Sequence, residues 1–358
     1  MEIRHTPFDE GTRLELCIED KAVSGLSVHD LKLRVDDHVI RCGGIGGVGT
    51  PPEHRMKGYA RHVLDASIAF MQDEGYHLSA LYGIPSFYTR WGFAPAMPEC
   101  RVTIKTRDAE LAPSRFTIRP MARHDAPSVR ALYAAANATR TGTAVRPQDW
   151  AGFKRGPGWT SRFGAFVAVD DQGIAGYAMY TLDQGGLEVG EVGYRDRSVW
   201  STILAEVGRI AWDRRLQELV ILGPFDDPFF VYCQRYGCAL NLAYPRNAHC
   251  MARVIDQEAL MATLAPLLRR RVTQAGHELA GALLFETDLG QTRLSLGPGG
   301  PTLRSRLPQW ALAQLVLGYR SVDDLLFETA VRVDAAAIPL LAAMFPVGHP
   351  YTYSADRY

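Results

Sequence analysis

Residues 55–60, Arg-Met-Lys-Gly-Tyr-Ala, combine what an anion site needs: two cations, a glycine and a small residue at the opening of a helical pattern. A helix N-terminus leaves backbone N–H groups without partners and carries partial positive charge, so it receives phosphate well. Another glycine run, "GIGGVG" at residues 44–49, spells G-x-G-x-x-G, the fingerprint of a dinucleotide-binding loop. That fingerprint needs its last glycine to open a helix at once. Here Gly49 is followed by "TPPEHRMKG", whose two prolines hold the chain extended, and the helical pattern opens only near Gly58. The acid that should end a second strand is also misplaced, since Asp65 falls inside this first helix. The dinucleotide reading fails on context, and the phosphate cradle is placed about ten residues later.

The elements that must position such a cradle are legible. "HVIRCGGIGGVGT" predicts a strand, and glycine within a strand marks a bulge or a close backbone approach. "YARHVLDASIAFMQDEG" predicts a helix, with Val63, Leu64, Ile68 and Phe70 near helical spacing and Gly75 as its stop. "YHLSALYGIPSFYTRWGFAPA" predicts a buried strand over 78–82, then a short helix and a turn.

The whole chain bounds the setting. Its 358 residues suggest two or three domains. Lys plus Arg equals Asp plus Glu, at 39 each, which argues against a nucleic-acid or membrane-surface protein. No stretch approaches the roughly 20 apolar residues of a membrane helix, and the start shows no basic-then-apolar leader. Six scattered cysteines form no C-x-x-C pair, which fits a reducing cytoplasm and no structural metal.

"VGTPPEHRMKGYA" closely resembles the acetyl-CoA motif of the GNAT superfamily of N-acetyltransferases, whose usual form V-x-T-x-P-x-x-R-x-x-G-x-A is matched at every position. The resemblance implies acetyl-CoA as co-substrate, held by Val48, Thr50, Arg55, Met56, Lys57, Gly58, Tyr59 and Ala60, with Arg55, Lys57 and Arg61 offsetting phosphate charge. "FYTRWGF", residues 87–93, resembles the F-Y-x-x-x-G-F box that follows the fifth strand in these enzymes. It puts Tyr88 where the superfamily often has its general acid; alternatively Tyr88 is a packed aromatic among Phe87, Trp91 and Phe93.

The middle of the chain repeats the plan. Three strands, the helix pattern "SVWSTILAEVGRIAWDRRL" and the strand "ELVILG" lead to "CQRYGC", an echo of "YTRWGF". Val48 stands 44 residues before Gly92, and Val192 stands 45 before Gly237. In that register Thr202 replaces Gly58, Val199 replaces Arg55 and Cys233 replaces Tyr88. A threonine would crowd a pyrophosphate and valine offers no cation, so the second copy is read as structural.

After an amphipathic helix the last hundred residues alternate like antiparallel strands and end in helices, the first of which resembles a helix of the sterol-carrier-protein-like domain. The expected fold class is therefore α+β: tandem GNAT-like mixed sheets flanked by helices, followed by a sterol-carrier-protein-like α+β domain. The boundaries are 1–114, 115–255 and 256–358. This arrangement resembles the Eis-type acetyltransferases (the enhanced intracellular survival family). Their pattern implies that the α-carboxylate of Tyr358 enters the active site beside Tyr88, and that the protein assembles as a closed symmetric homo-oligomer such as a hexamer. "PYTYSADRY" reads as a tail that docks.

The function implied is transfer of acetyl to a primary amine of a small molecule, such as an aminoglycoside-like amine. The rivals are a protein or peptide lysine acetyltransferase and a carrier of lipid or small hydrophobes. The first unit has room for only two or three strands ahead of its motif strand, so one or both helices that usually wall the acceptor pocket are missing.

Overall fold

The computed structural model describes residues 1–150, 163–183 and 185–357. The chain forms two compact units, one of residues 1–97 with 245–350 and one of residues 98–244 with 351–357.

The first unit opens with an antiparallel meander: β1 (Glu2–Phe8), β2 (Gly11–Ile18), β3 (Lys21–Val35) and β4 (His38–Gly49). No helix precedes β4. The chain then crosses through α1 (Tyr59–Asp73) to β5 (Leu78–Gly83), which pairs parallel with β4. β6 (Ala94–Pro95) lies beyond the strand His249–Val254, which pairs antiparallel with both β5 and β6. Helix α1 forms because Val63, Leu64 and Met71 recur on one side, and they pack with Leu14, Leu26, Val28 and Ile45 of the sheet. Gly75 ends the turn after α1 at φ 74°, a conformation costly for other residues.

The same unit holds the helix Gln257–Gln274 and a four-stranded sheet ordered Gly290–Gly297, Gly281–Thr287, Thr302–Arg306, Arg332–Val333. The helix Gln309–Val316 is tied down by Gln309. Its Oε1 accepts the Val254 amide at 2.8 Å and its Nε2 donates to the Gly92 carbonyl at 2.7 Å.

The second unit has a seven-stranded mixed sheet centred on Glu218–Leu222 and Gly186–Tyr194, with the helix Trp200–Asp213 packed on it. Its strand Glu99–Lys105 follows β6 directly in sequence but pairs with Glu218–Leu222 and Cys238–Ala243. The units therefore exchange strands: 99–105 completes the second sheet and 249–254 the first. The continuous segments 1–114 and 115–255 cut across this exchange. Burial of Cys100, Val102 and Ile104 among second-unit residues drives it, and no local composition signals which sheet a strand will join.

The first unit's seven-stranded sheet and the second unit's sheet each hold a parallel strand pair. β4 and β5 pair from Cys42 with Leu78 to Ile45 with Leu81, and then part. In the second unit the parallel pairing runs from Leu187 with Leu219 to Val189 with Ile221. Ile45 and Val189 are related by the same offset as Val48 and Val192.

Candidate functional site

Beyond Ile45, β4 keeps its pairing to β3, with Ser27 opposite Gly46 and Gly25 opposite Gly49. On the β5 side the ladder has ended, so the backbone edge of 46–49 is open to an extended ligand. Val48 packs on the apolar core of the unit. Thr50 is fixed by Ser24, whose hydroxyl lies 2.9 Å from Thr50 Oγ1 and donates to the Gly49 carbonyl at 3.1 Å.

The cradle follows. Arg55 Nε donates to the Thr50 carbonyl at 3.1 Å and folds the turn back on itself. Its backbone amide is taken by the Pro52 carbonyl at 3.2 Å. The amide row expected over 55–60 therefore begins at Met56, and Arg55 contributes as an exposed cation. Met56 adopts φ 62° with its side chain fully exposed. Gly58 is the N-cap of α1 at φ 79°, and nothing lies within 4 Å of where a Cβ would stand. The first intrahelical bond is received by the Gly58 carbonyl from Arg61 and His62. The amides of Tyr59 and Ala60 thus precede the helical ladder, and Arg55, Lys57 and Arg61, close by in sequence, are exposed. A positive helix end, an unfilled glycine face and three cations suit a diphosphate.

Tyr88 sits on a one-turn helix, Tyr88–Trp91, after β5. It is 8% exposed, packs edge-on against Phe87 and Phe93, and belongs to the same apolar cluster as Val48 and Tyr59. Gly83 permits this, since a Cβ there would stand 2.7 Å from the Tyr88 ring. Trp91 Nε1 donates to Asp65 Oδ1 of α1 at 2.7 Å, tying the turn to the cradle helix. Burial pushes the Tyr88 hydroxyl above its ordinary pKa, so it is a neutral donor at physiological pH. Tyr88 is therefore a packed aromatic whose hydroxyl stays protonated. The loop before it is held by the Asn247 carbonyl, which accepts the Ser86 amide at 2.8 Å. Asn247 lies far away in sequence, and no local signal points to it.

Tyr358 lies outside the described residues. The tail before it does dock: Tyr351 and Tyr353 are buried in the second unit, Thr352 Oγ1 donates to the Gly142 carbonyl at 2.7 Å and the Tyr351 amide to the Thr141 carbonyl at 3.1 Å.

In the second unit the positions that the sequence spacing sets against Gly58, Arg55 and Tyr88 are buried. Thr202 is fully buried and its hydroxyl accepts the amides of Arg115 and Phe116 at 2.9 and 3.4 Å. Val199 is buried in the core. Cys233 is buried too, and burial pushes its thiol up, away from nucleophilic use.

Residues 4–96 match the model of the acetyltransferase (GNAT) domain. The chain carries a GNAT acetyltransferase domain. No curated protein matches the sequence. Among solved structures, a probable N-acyltransferase from Enterococcus faecalis is 17% identical with a TM-score of 0.75, over 98% of this chain and 90% of that one. A GCN5-related N-acetyltransferase from Kribbella flavida is 19% identical with a TM-score of 0.71, over 97% and 87%. Eis1 from Mycobacterium abscessus is 16% identical with a TM-score of 0.66, over 98% and 92%. At these identities the likeness is one of fold, a mixed α+β architecture along nearly the whole chain. Among the described residues, no group of three or more His, Cys, Asp or Glu is placed to hold a metal ion, and no helix is long and apolar enough to cross a membrane.

Proposed function

We propose that the protein transfers the acetyl group of acetyl-CoA to a primary amine of a small molecule, with the first unit as the catalytic one. The observation that carries this reading is the open edge of 46–49 leading to the unfilled Gly58 turn, with Tyr88 in the same cluster as Val48 and Tyr59. Acetyl-CoA supplies the activated thioester and a diphosphate to bind. The amides of 56–60 and the side chains of Arg55, Lys57 and Arg61 hold the diphosphate. Val48 and Thr50 offer backbone groups to the pantetheine arm. The Tyr88 hydroxyl donates a proton to the departing thiolate. The carboxylate of Tyr358 orients the acceptor ammonium. A free α-carboxyl titrates near ~3.5 and an alkyl amine near ~10.4, a poor match for direct proton abstraction. Positioning, which contributes roughly 7–11 kcal/mol in well-oriented reactions, carries more of the rate.

A peptide lysine acceptor is the second reading, favoured by the three strands that stand where acceptor-walling helices would be. The carrier reading is disfavoured: a cavity of about 470 Å³ beside the helix Gln309–Val316 is lined by Arg246, Arg320 and Glu328 along with Trp310, and charged walls suit no lipid tail. The test is release of free CoA thiol from acetyl-CoA across aminoglycosides, polyamines, arylamines and lysine peptides. Acceptor-dependent release that Tyr88→Phe abolishes supports the reading. Failure to bind acetyl-CoA at all overturns it.

A further inference from the structure

Within the first unit, the one-turn helix that carries Tyr88 is held at its end by two side chains from distant segments. Arg253 stands on the strand His249–Val254, one residue past Ala252, which pairs with Ala94 of β6. At Arg253 that pairing has ended, because the chain before β6 is still leaving the turn Tyr88–Trp91. The guanidinium spans the gap. Its Nη1 donates to the Trp91 carbonyl at 2.6 Å and its Nε to the Val254 carbonyl at 3.3 Å. Gln309 takes the next carbonyl, that of Gly92, at 2.7 Å, while its Oε1 accepts the Val254 amide at 2.8 Å. Gly92 closes the turn at φ 73°, and a Cβ there would stand 2.3 Å from Gln309 Nε2. Carbonyls at a helix end have no donor within the helix. Here a guanidinium and an amide supply them.

Arg253 is a costly donor for that bond. It is 9% exposed, and among the described residues no carboxylate lies within ion-pair distance of it. Burial lowers its pKa from the ordinary arginine value, and Asp288 offsets this only from longer range. The guanidinium nevertheless stays charged at physiological pH. A buried charge without a counter-ion is destabilising, and an apolar side chain would avoid the desolvation. Stability alone therefore does not account for an arginine here. What it adds is geometry: bonds from Nε and Nη1 together fix the plane of a rigid fork, and with it the end of the turn. Tyr88 opens that turn, and Phe93, just past its end, packs edge-on against the Tyr88 ring. A shift of the Trp91 carbonyl moves both supports of the ring. We infer that Arg253, with Gln309 beside it, is a positioning residue that sets the place of the Tyr88 hydroxyl by holding the end of its turn. This rests on the proposed role of Tyr88 as proton donor.

The full chain is compared with Arg253→Met, Tyr88→Phe and the double variant. The readouts are kcat for release of CoA thiol with the most active amine acceptor, KM for acetyl-CoA, and the calorimetric Kd for acetyl-CoA. Arg253→Met is expected to lower kcat on the order of a hundredfold, the scale of an ångström-sized misplacement, while KM and Kd for acetyl-CoA stay put. In the Tyr88→Phe background the same substitution should lower kcat no further, because no hydroxyl is left to misplace. A merely structural arginine would slow both backgrounds by the same factor. Should Arg253→Met not fold, Arg253→Gln decides through the same cycle, since its shorter side chain stays polar but leaves the Trp91 carbonyl unheld. Full kcat in the deciding Arg253 variant, or equal losses in the two backgrounds, overturns the positioning role and leaves Tyr88 as the acid. Full kcat in Tyr88→Phe, or no release with any amine, removes the proton donor and takes the positioning role with it.

Discussion

The hydroxyl of Thr202 accepts the amide of Arg115 at 2.9 Å, at the position where the repeat register places Gly58 in the first unit. Thr202 is the third residue of its helix and meets its own chain, whereas Gly58 caps α1 and leaves its turn open. Gly58 has no neighbour within 4 Å of a Cβ position and sits at φ 79°. Gly58→Thr should therefore weaken acetyl-CoA binding on the order of tenfold or more, because the side chain enters the cradle and the left-handed turn costs about 1–2 kcal/mol. Calorimetric titration checks this. An unchanged Kd would mean the diphosphate does not enter at this turn.

Tyr88→Phe removes one oxygen from a packed ring cluster. Turnover should fall roughly 10²- to 10⁴-fold, the usual contribution of a general acid, with acetyl-CoA affinity nearly unchanged. Burial raises the Tyr88 pKa above the ordinary 10.0, so the acid form is complete at neutral pH and persists as pH rises through 10. A kcat profile that loses activity to tyrosine ionisation well below pH 10 would contradict the role. An equal loss of affinity and turnover would reduce Tyr88 to a packing residue.

The strand, turn and helix start that carry Val48 to Ala60 were legible because they are contiguous. Thr202 and Val199, which the spacing sets against Gly58 and Arg55, are both buried. The strand exchange was not legible: Glu99–Lys105 alternates in burial and 250–254 is buried throughout, and neither pattern names the sheet that the strand joins. Arg253 was also invisible: the Trp91 carbonyl that it holds lies 162 residues away. The amide of Arg55 was misread since the Pro52 carbonyl claims it, a turn bond that motif spacing does not encode.

Gly43, the residue just before the decoy glycine run, has a packing role. A Cβ on Gly43 would stand 2.2 Å from Met71 Sδ, and Met71 is fully buried in α1. Gly43→Ala should destabilise the protein by about 1–3 kcal/mol through overpacking of α1 on β4. Denaturant melts with an unchanged m-value would show it. A neutral substitution would mean that α1 has slack against the sheet, and the glycine would need another explanation.

His77 gives the fold a pH dependence whose sign is fixed by its bonds. Its Nδ1 accepts the Arg41 amide of β4 at 2.8 Å, which leaves the proton on Nε2, 3.2 Å from Thr263 Oγ1 on the helix Gln257–Gln274. Burial, the largest cause, lowers its pKa below the ordinary 6.5. The folded state therefore binds this proton less readily than the unfolded chain. The stabilisation is fully present above about pH 6.5 and is lost as pH falls below that value toward the folded pKa. Protonating Nδ1 also strips the Arg41 amide of its acceptor. His77→Asn should be less stable than the parent at pH 7.5, with the gap narrowing at pH 5, because only the parent carries the protonation penalty there. Thermal melts of both proteins at the two pH values isolate His77 from the carboxylates, which titrate alike in each. A gap that stays constant or widens on acidification would show that His77 is not held neutral between β4 and the helix.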